Sequence, residues 1–117
     1  MLIKKEVKQN SSSCIVWEYD YPSKDSSFAT ALINGCYPDK GKSVNLECEQ
    51  IYYIISGLGT IYSEKGDFSI VAGDAYYFDK GEAYSISGNN LLVAIINSPK
   101  WNPAQYKIVN NYQKNDK

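Results

Sequence analysis

Residues 49–97 read EQIYYIISGLGTIYSEKGDFSIVAGDAYYFDKGEAYSISGNNLLVAIIN, and short apolar runs cut by glycine-bearing turns decide the fold class. Residues 49–56 (EQIYYIIS) are β-branched and aromatic, and the break Gly57-Leu58-Gly59 follows them. Residues 60–63 (TIYS) and 68–71 (FSIV) flank Glu64-Lys65-Gly66-Asp67 as the arms of a hairpin. Beyond the turn Ala72-Gly73-Asp74 come residues 75–78 (AYYF) and the turn Asp79-Lys80-Gly81-Glu82. Residues 84–87 (YSIS) alternate, Gly88-Asn89-Asn90 turns, and residues 91–97 (LLVAIIN) form an apolar run suited to a strand buried on both faces. Upstream, residues 14–19 (CIVWEY) and 28–34 (FATALIN) add two strands around a Pro-Ser-Lys-Asp-Ser-Ser loop. No stretch of helical period precedes Asn102. Eight short strands at this spacing predict an all-β sandwich or barrel. The 117 residues fit one domain, 1–117, with a frayed polar tail at 112–117.

Composition narrows the chemistry. Apolar residues make up 44% of the chain and charged residues 21%, ordinary values for a globular domain. There is no histidine, and all 12 basic residues are lysine. That excludes Ser-His-Asp and Cys-His catalysis and any histidine-ligated metal, and it removes arginine's bidentate grip on phosphate. A net charge of −1 argues against nucleic acid and anionic membrane as partners. Cys14, Cys36 and Cys48 are an odd, widely spaced set without CxxC, which fits reduced thiols in the cytoplasm better than disulfides or zinc. The first residues carry lysines but no apolar stretch of signal-peptide length, and no later run is long enough to span a bilayer. Gly57-Leu58-Gly59 lacks the following Lys-Ser/Thr and helix of a phosphate-binding loop.

The order of these pieces resembles the cupin superfamily, whose fold is a double-stranded β-helix, a jelly-roll barrel. The family's first motif ends in glutamate, six residues and glycine; here Gln50 stands in the glutamate's place, before IYYIIS and Gly57. Its second motif begins at Gly73, has Asp79 in the place of a proline, keeps Gly81, and carries Tyr84 in the place of a histidine. The closing asparagine is displaced by one, to Asn89, and residues 98–106 (SPKWNPAQY) look like the tail of many small bacterial cupins. The resemblance spans about residues 28–108. It implies a metal site, and there the sequence departs from it. The first motif's paired histidines fall at Ser43 and Asn45 or at Val44 and Leu46, so every ligand position holds a neutral group. Zinc and iron sites need imidazole, thiolate or carboxylate, so a metal-free barrel with no cofactor is expected.

Strand alternation turns Gln50, Tyr52 and Ile54 inward and Ile51, Tyr53 and Ile55 outward, leaving an apolar outer face that a homodimer would cover. Tyr84 and Ile86 share one face, and Tyr76 and Phe78 oppose Tyr77. Eleven tyrosines against three phenylalanines suit half-buried strands, and equally a cavity walled by phenols. Gln50 reads either as a ligand group or as a satisfied buried amide. Trp101, between Pro99 and Pro103, is expected to plug a barrel end, and Trp17 to sit in the core. Glu47, Glu49 and Glu82 are expected as solvated loop or strand-end charges. The reading is a small neutral or polar ligand, a carbohydrate first, held by Asn45, Gln50, Tyr52, Tyr76 and Tyr84. The alternatives are a metal-independent sugar isomerase or epimerase using Tyr84 and a carboxylate, and a vestigial cupin serving as a dimerising module with a closed interior.

Overall fold

The computed structural model describes residues 1–110, so the tail expected at 112–117 lies outside the described residues. The strands are β1 (Glu6–Asn10), β2 (Cys14–Tyr19), β3 (Ser27–Tyr37), β4 (Lys42–Asn45), β5 (Glu49–Ser63), β6 (Gly66–Val71), β7 (Ala75–Phe78), β8 (Tyr84–Ser98) and β9 (Tyr106–Val109). One 3₁₀ turn, Pro103–Gln105, precedes β9. All pairings are antiparallel, and the strands form a single curled sheet, a jelly-roll barrel.

β5 and β8 pair with each other from Glu49↔Ser98 to Ser63↔Tyr84 and form the spine of the barrel. The first part of β5 also pairs with β7 and its second part with β6; β8 takes β3 and β4 on its other edge. The glycine clusters at 57–59 and 88–90 are therefore not strand ends, a correction to the sequence reading. Extra residues are absorbed as register shifts, between Ile54 and Ser56 and between Ser56 and Leu58, and the strand bends and continues. Gly57 has φ +81°, and a Cβ there would run into the carbonyl oxygen of Asn90. Only glycine lets β5 turn this corner against β8.

Three strands escaped the sequence reading. β1 is exposed along its whole length, and β4 and β9 have four residues each, too few to show a period. β1 and β2 extend the sheet beyond the span of the cupin resemblance.

Register explains which side chains meet inside. Gln50, Asn97 and Ser27 form one inward row across β5, β8 and β3. Tyr52, Ile95 and Ala29 form the next, and Ile54, Val93 and Ala31 the third. Ile54, Val93, Leu91 and Ile61 are completely buried. The small side chains of Ala29 and Ala31 leave the space beside β3 unfilled. On the outer face Tyr77, Ile51 and Ile96 form a row, with Tyr53 and Ala94 alongside. Trp17 belongs to this outer surface: it alternates with the inward Cys14 and Val16, is half-buried, and lies under the Lys5 ammonium at 4.8 Å from the ring centre. That corrects its expected place in the core.

Candidate functional site

The space beside Ala29 and Ala31 is a cavity of about 430 Å³. Its apolar wall includes Cys14, Val16, Ile33, Ile95 and Trp101; its polar wall includes Ser27, Tyr37, Gln50, Tyr52, Tyr84, Asn97 and Tyr106. The charged groups that border it, Lys8, Glu18, Asp20 and Lys100, keep to solvent and pair with one another, Lys8 with Glu18 at 3.9 Å and Lys100 with Asp20 at 3.5 Å. The polar interior is neutral.

A chain of amides runs along this wall, and its direction is dictated from one end. Gln105 Oε1 accepts the backbone N–H groups of Glu47 (3.0 Å) and Cys48 (3.2 Å), so its amino group must face the other way, toward Asn45 Oδ1 (2.8 Å). The Trp101 indole N–H, which can only donate, reaches the same Asn45 oxygen at 2.9 Å. Asn45 Nδ2 therefore donates to Gln50 Oε1 (3.0 Å), Gln50 Nε2 to Asn97 Oδ1 (2.7 Å), and Asn97 Nδ2 to Ser27 Oγ (3.1 Å).

Two phenol clusters complete the wall. Tyr84 donates to Gln50 Oε1 (3.3 Å), and its oxygen then accepts the hydroxyl of Tyr52 (3.2 Å). Its ring packs on Phe78 with centroids 4.2 Å apart. The Tyr106 hydroxyl lies 2.7 Å from that of Tyr37 and 2.7 Å from Ser43 Oγ. Burial pushes Tyr84 well above the ordinary phenol range, reinforced by the neighbouring Tyr52 phenol. Burial likewise raises Tyr52 and Tyr37. All three are neutral near pH 7, donors and acceptors rather than bases.

Of the residues singled out from sequence, Gln50, Tyr52 and Tyr84 line the cavity, and Asn45 stands directly behind Gln50. Ser43, Val44 and Asn45 of β4 are all buried, whereas Leu46 is exposed, and of the two alternative pairs it is Ser43 and Asn45 that bond to groups of the cavity wall, Tyr106 and Gln50. Tyr76 goes elsewhere. Its hydroxyl donates to Glu82 Oε2 (2.7 Å), and its ring packs between Phe78 and Phe68, away from the cavity lining. Glu82 is not the solvated charge expected of it, being 2% exposed. Besides Tyr76 it accepts Ser63 Oγ (2.5 Å) and the Asp79 backbone N–H (2.9 Å), and Lys65 lies 3.5 Å away. Those partners replace the water it loses, so a carboxylate can be buried there. Tyr84 meets amide and phenol groups rather than a carboxylate. Trp101 borders the cavity and is tied to Asn45.

Asn97, Ser27, Tyr37, Tyr106 and Gln105 escaped the sequence reading. Only Asn97 carried a signal, as the polar inward position closing the apolar run 91–97.

No protein-family model matches the sequence, and no curated protein matches it. Solved structures match over nearly the whole chain. It is similar to Pac13 from Streptomyces, described as a unique nucleoside dehydratase and solved in variant forms with uridine. That likeness has a TM-score of 0.81 at 14% identity, over 94% of this chain and 88% of that one. An RmlC-like cupin from Shewanella frigidimarina matches with a TM-score of 0.64 at 12% identity, over 82% of this chain and 85% of that one. KdgF from a Halomonas species matches with a TM-score of 0.68 at 13% identity, over 85% and 90%. This chain is a cupin by fold.

In this cupin the positions that the family resemblance assigns to metal ligands do not fit a divalent transition ion. Asn45 Oδ1 accepts two N–H groups, and Gln50 Oε1 accepts one N–H and one O–H, so both lone pairs of each carbonyl are taken. The Ser43 hydroxyl is tied to Tyr106, and burial keeps Tyr84 protonated. Among the described residues no group of three or more His, Cys, Asp or Glu gathers elsewhere. In the same residues no helix is long and apolar enough to cross a membrane.

Proposed function

We propose that this cupin binds a small neutral ring ligand, a sugar or a sugar-bearing ring such as a nucleoside, in the cavity lined by Gln50, Tyr52, Tyr84, Asn97 and Trp101, without a metal. One observation carries the reading: a ligand-sized space of about 430 Å³ whose polar wall is entirely amide, phenol and hydroxyl, with the charges outside and paired. An aromatic wall with neutral hydrogen-bonding groups suits a polyhydroxylated ring and disfavours a phosphate, which would find no buried cation. The likeness to a nucleoside dehydratase solved with uridine supports a ligand of this kind. The cavity also weighs against a vestigial module, which would have a filled interior. A metal-independent isomerase would need a carboxylate at Tyr84, and the buried carboxylate is engaged with Tyr76 instead.

Calorimetric titration with a panel of neutral monosaccharides and uridine, against their phosphorylated forms, tests the proposal. Binding of a neutral member, abolished or weakened about tenfold by Gln50→Leu, is expected. Saturable binding of the phosphorylated forms alone would overturn it.

The same proposal places the working protein in the cytoplasm, where Cys14, Cys36 and Cys48 stay as free thiols. It also makes the protein a homodimer. Ile51, Tyr53, Tyr77 and Ile96 lie side by side on the outer face, each 43–49% exposed, and a second copy would cover the patch on both subunits at once. Light scattering should give twice the chain mass, and Ile51→Lys should return it to monomer. A wild-type monomer at micromolar concentration would sink this part.

A further inference from the structure

The amide chain has a direction, and the direction fixes what the cavity can read. Gln50 Oε1 is saturated by Asn45 Nδ2 and the Tyr84 hydroxyl, while Gln50 Nε2 gives one of its two hydrogens to Asn97 Oδ1. Its second N–H has no protein acceptor among the described residues. Asn97 repeats the pattern: Nδ2 gives one hydrogen to Ser27 Oγ and keeps one, while Oδ1 has taken one hydrogen and has room for another. Ser27 Oγ accepts from Asn97 Nδ2 at 3.1 Å and from the Trp101 backbone N–H at 3.1 Å, so both its lone pairs are used and its own proton must be given away. All three residues line the cavity, and they occupy one register row on neighbouring strands.

Along that row the unused valences run donor at Gln50, acceptor at Asn97 Oδ1, donor at Asn97 Nδ2 and Ser27. None of these groups is charged, and none can flip alone. Reversing Gln50 would set its carbonyl against Asn97 Oδ1 and its amino group against Asn45 Nδ2. Gln105 and Trp101 hold Asn45 from behind. The complement is a ring edge that offers acceptor, donor, acceptor: two carbonyl oxygens flanking a ring N–H.

We infer that the Gln50–Asn97–Ser27 row recognises the imide edge of a cyclic ligand. This rests on the cavity being a ligand site and deepens that reading from a neutral ring to an imide-bearing ring. A ring in which one carbonyl becomes an amino group and the N–H becomes a bare nitrogen sets donor against donor at Gln50 and acceptor against acceptor at Asn97. Each mismatch leaves a desolvated polar group unpaired.

Uridine and cytidine differ in that way at one edge and share the same ribose, so titrating each into the intact protein tests the inference. Uridine is expected to bind about tenfold or more tightly than cytidine. In Gln50→Glu, which replaces the Nε2 donor by an acceptor, the preference should shrink or reverse. Equal binding of the two nucleosides to the wild-type protein, or a preference for cytidine, would overturn the inference while leaving the ligand cavity standing. Binding of a neutral sugar with neither nucleoside binding would do the same. Failure of every neutral ligand would overturn both.

Discussion

Trp101 and Gln105 act at the site without presenting polar groups to it, because an indole N–H and two backbone N–H groups leave no choice about which way Asn45, and then Gln50 and Asn97, must point. Such orientation is invisible in a sequence, where Gln50 is simply a neutral residue at a position that usually bears charge. The same holds for Glu82. Its neighbours in sequence, Lys80, Gly81 and Ala83, describe a solvated turn, yet the strands bring Ser63 and Tyr76 over it. Glu82→Ala would leave the Tyr76 and Ser63 hydroxyls and the Asp79 N–H without their shared acceptor. A loss of about 3 kcal/mol is expected in denaturant unfolding. A change below about 0.5 kcal/mol, the level of an ordinary surface substitution, would show that the carboxylate is not structural.

β5 and β8 illustrate how far local patterning goes for elements. Inward Gln50, Tyr52 and Ile54 against outward Ile51, Tyr53 and Ile55 were legible because strand alternation has a period of two and the residues obey it. Their continuation was not legible, since a glycine cluster signals a turn and a bulged bend equally well. Which one forms depends on whether a partner strand follows the bend, and β8 does so along its whole length. Gly57→Ala tests the bend. A side chain at φ +81° that also meets the Asn90 carbonyl should cost on the order of 3 kcal/mol and lower the unfolding midpoint without changing the slope with denaturant. Wild-type stability in that variant would mean the corner does not need glycine.

Tertiary structure decides the ionic behaviour of the whole molecule. Burial raises Tyr37, Tyr52 and Tyr84 above ordinary phenols, and burial with the Asp39 carboxylate pushes the Cys14 thiol up to about 11. Folding therefore favours their protonated forms. The stability they contribute is fully present below their unfolded pKa values, about 8.5 for the thiol and 10 for the phenols, and is lost as pH rises toward the folded ones. Unfolding free energy should fall above about pH 9, with each phenol adding a slope of about 1.4 kcal/mol per pH unit above about pH 10. A flat profile to about pH 11 by denaturant titration would contradict this. The sequence by itself determined the all-β class, the cupin order of strands and turns, and the absence of histidine and arginine, because these follow from residue identity and short-range period. Only the tertiary structure decided that Ala29 and Ala31 leave a cavity, that Tyr76 turns to Glu82 and away from it, and that the amides point one way. Those outcomes depend on side chains far apart in sequence, such as Gln50 and Asn97, competing for the same lone pairs and the same space.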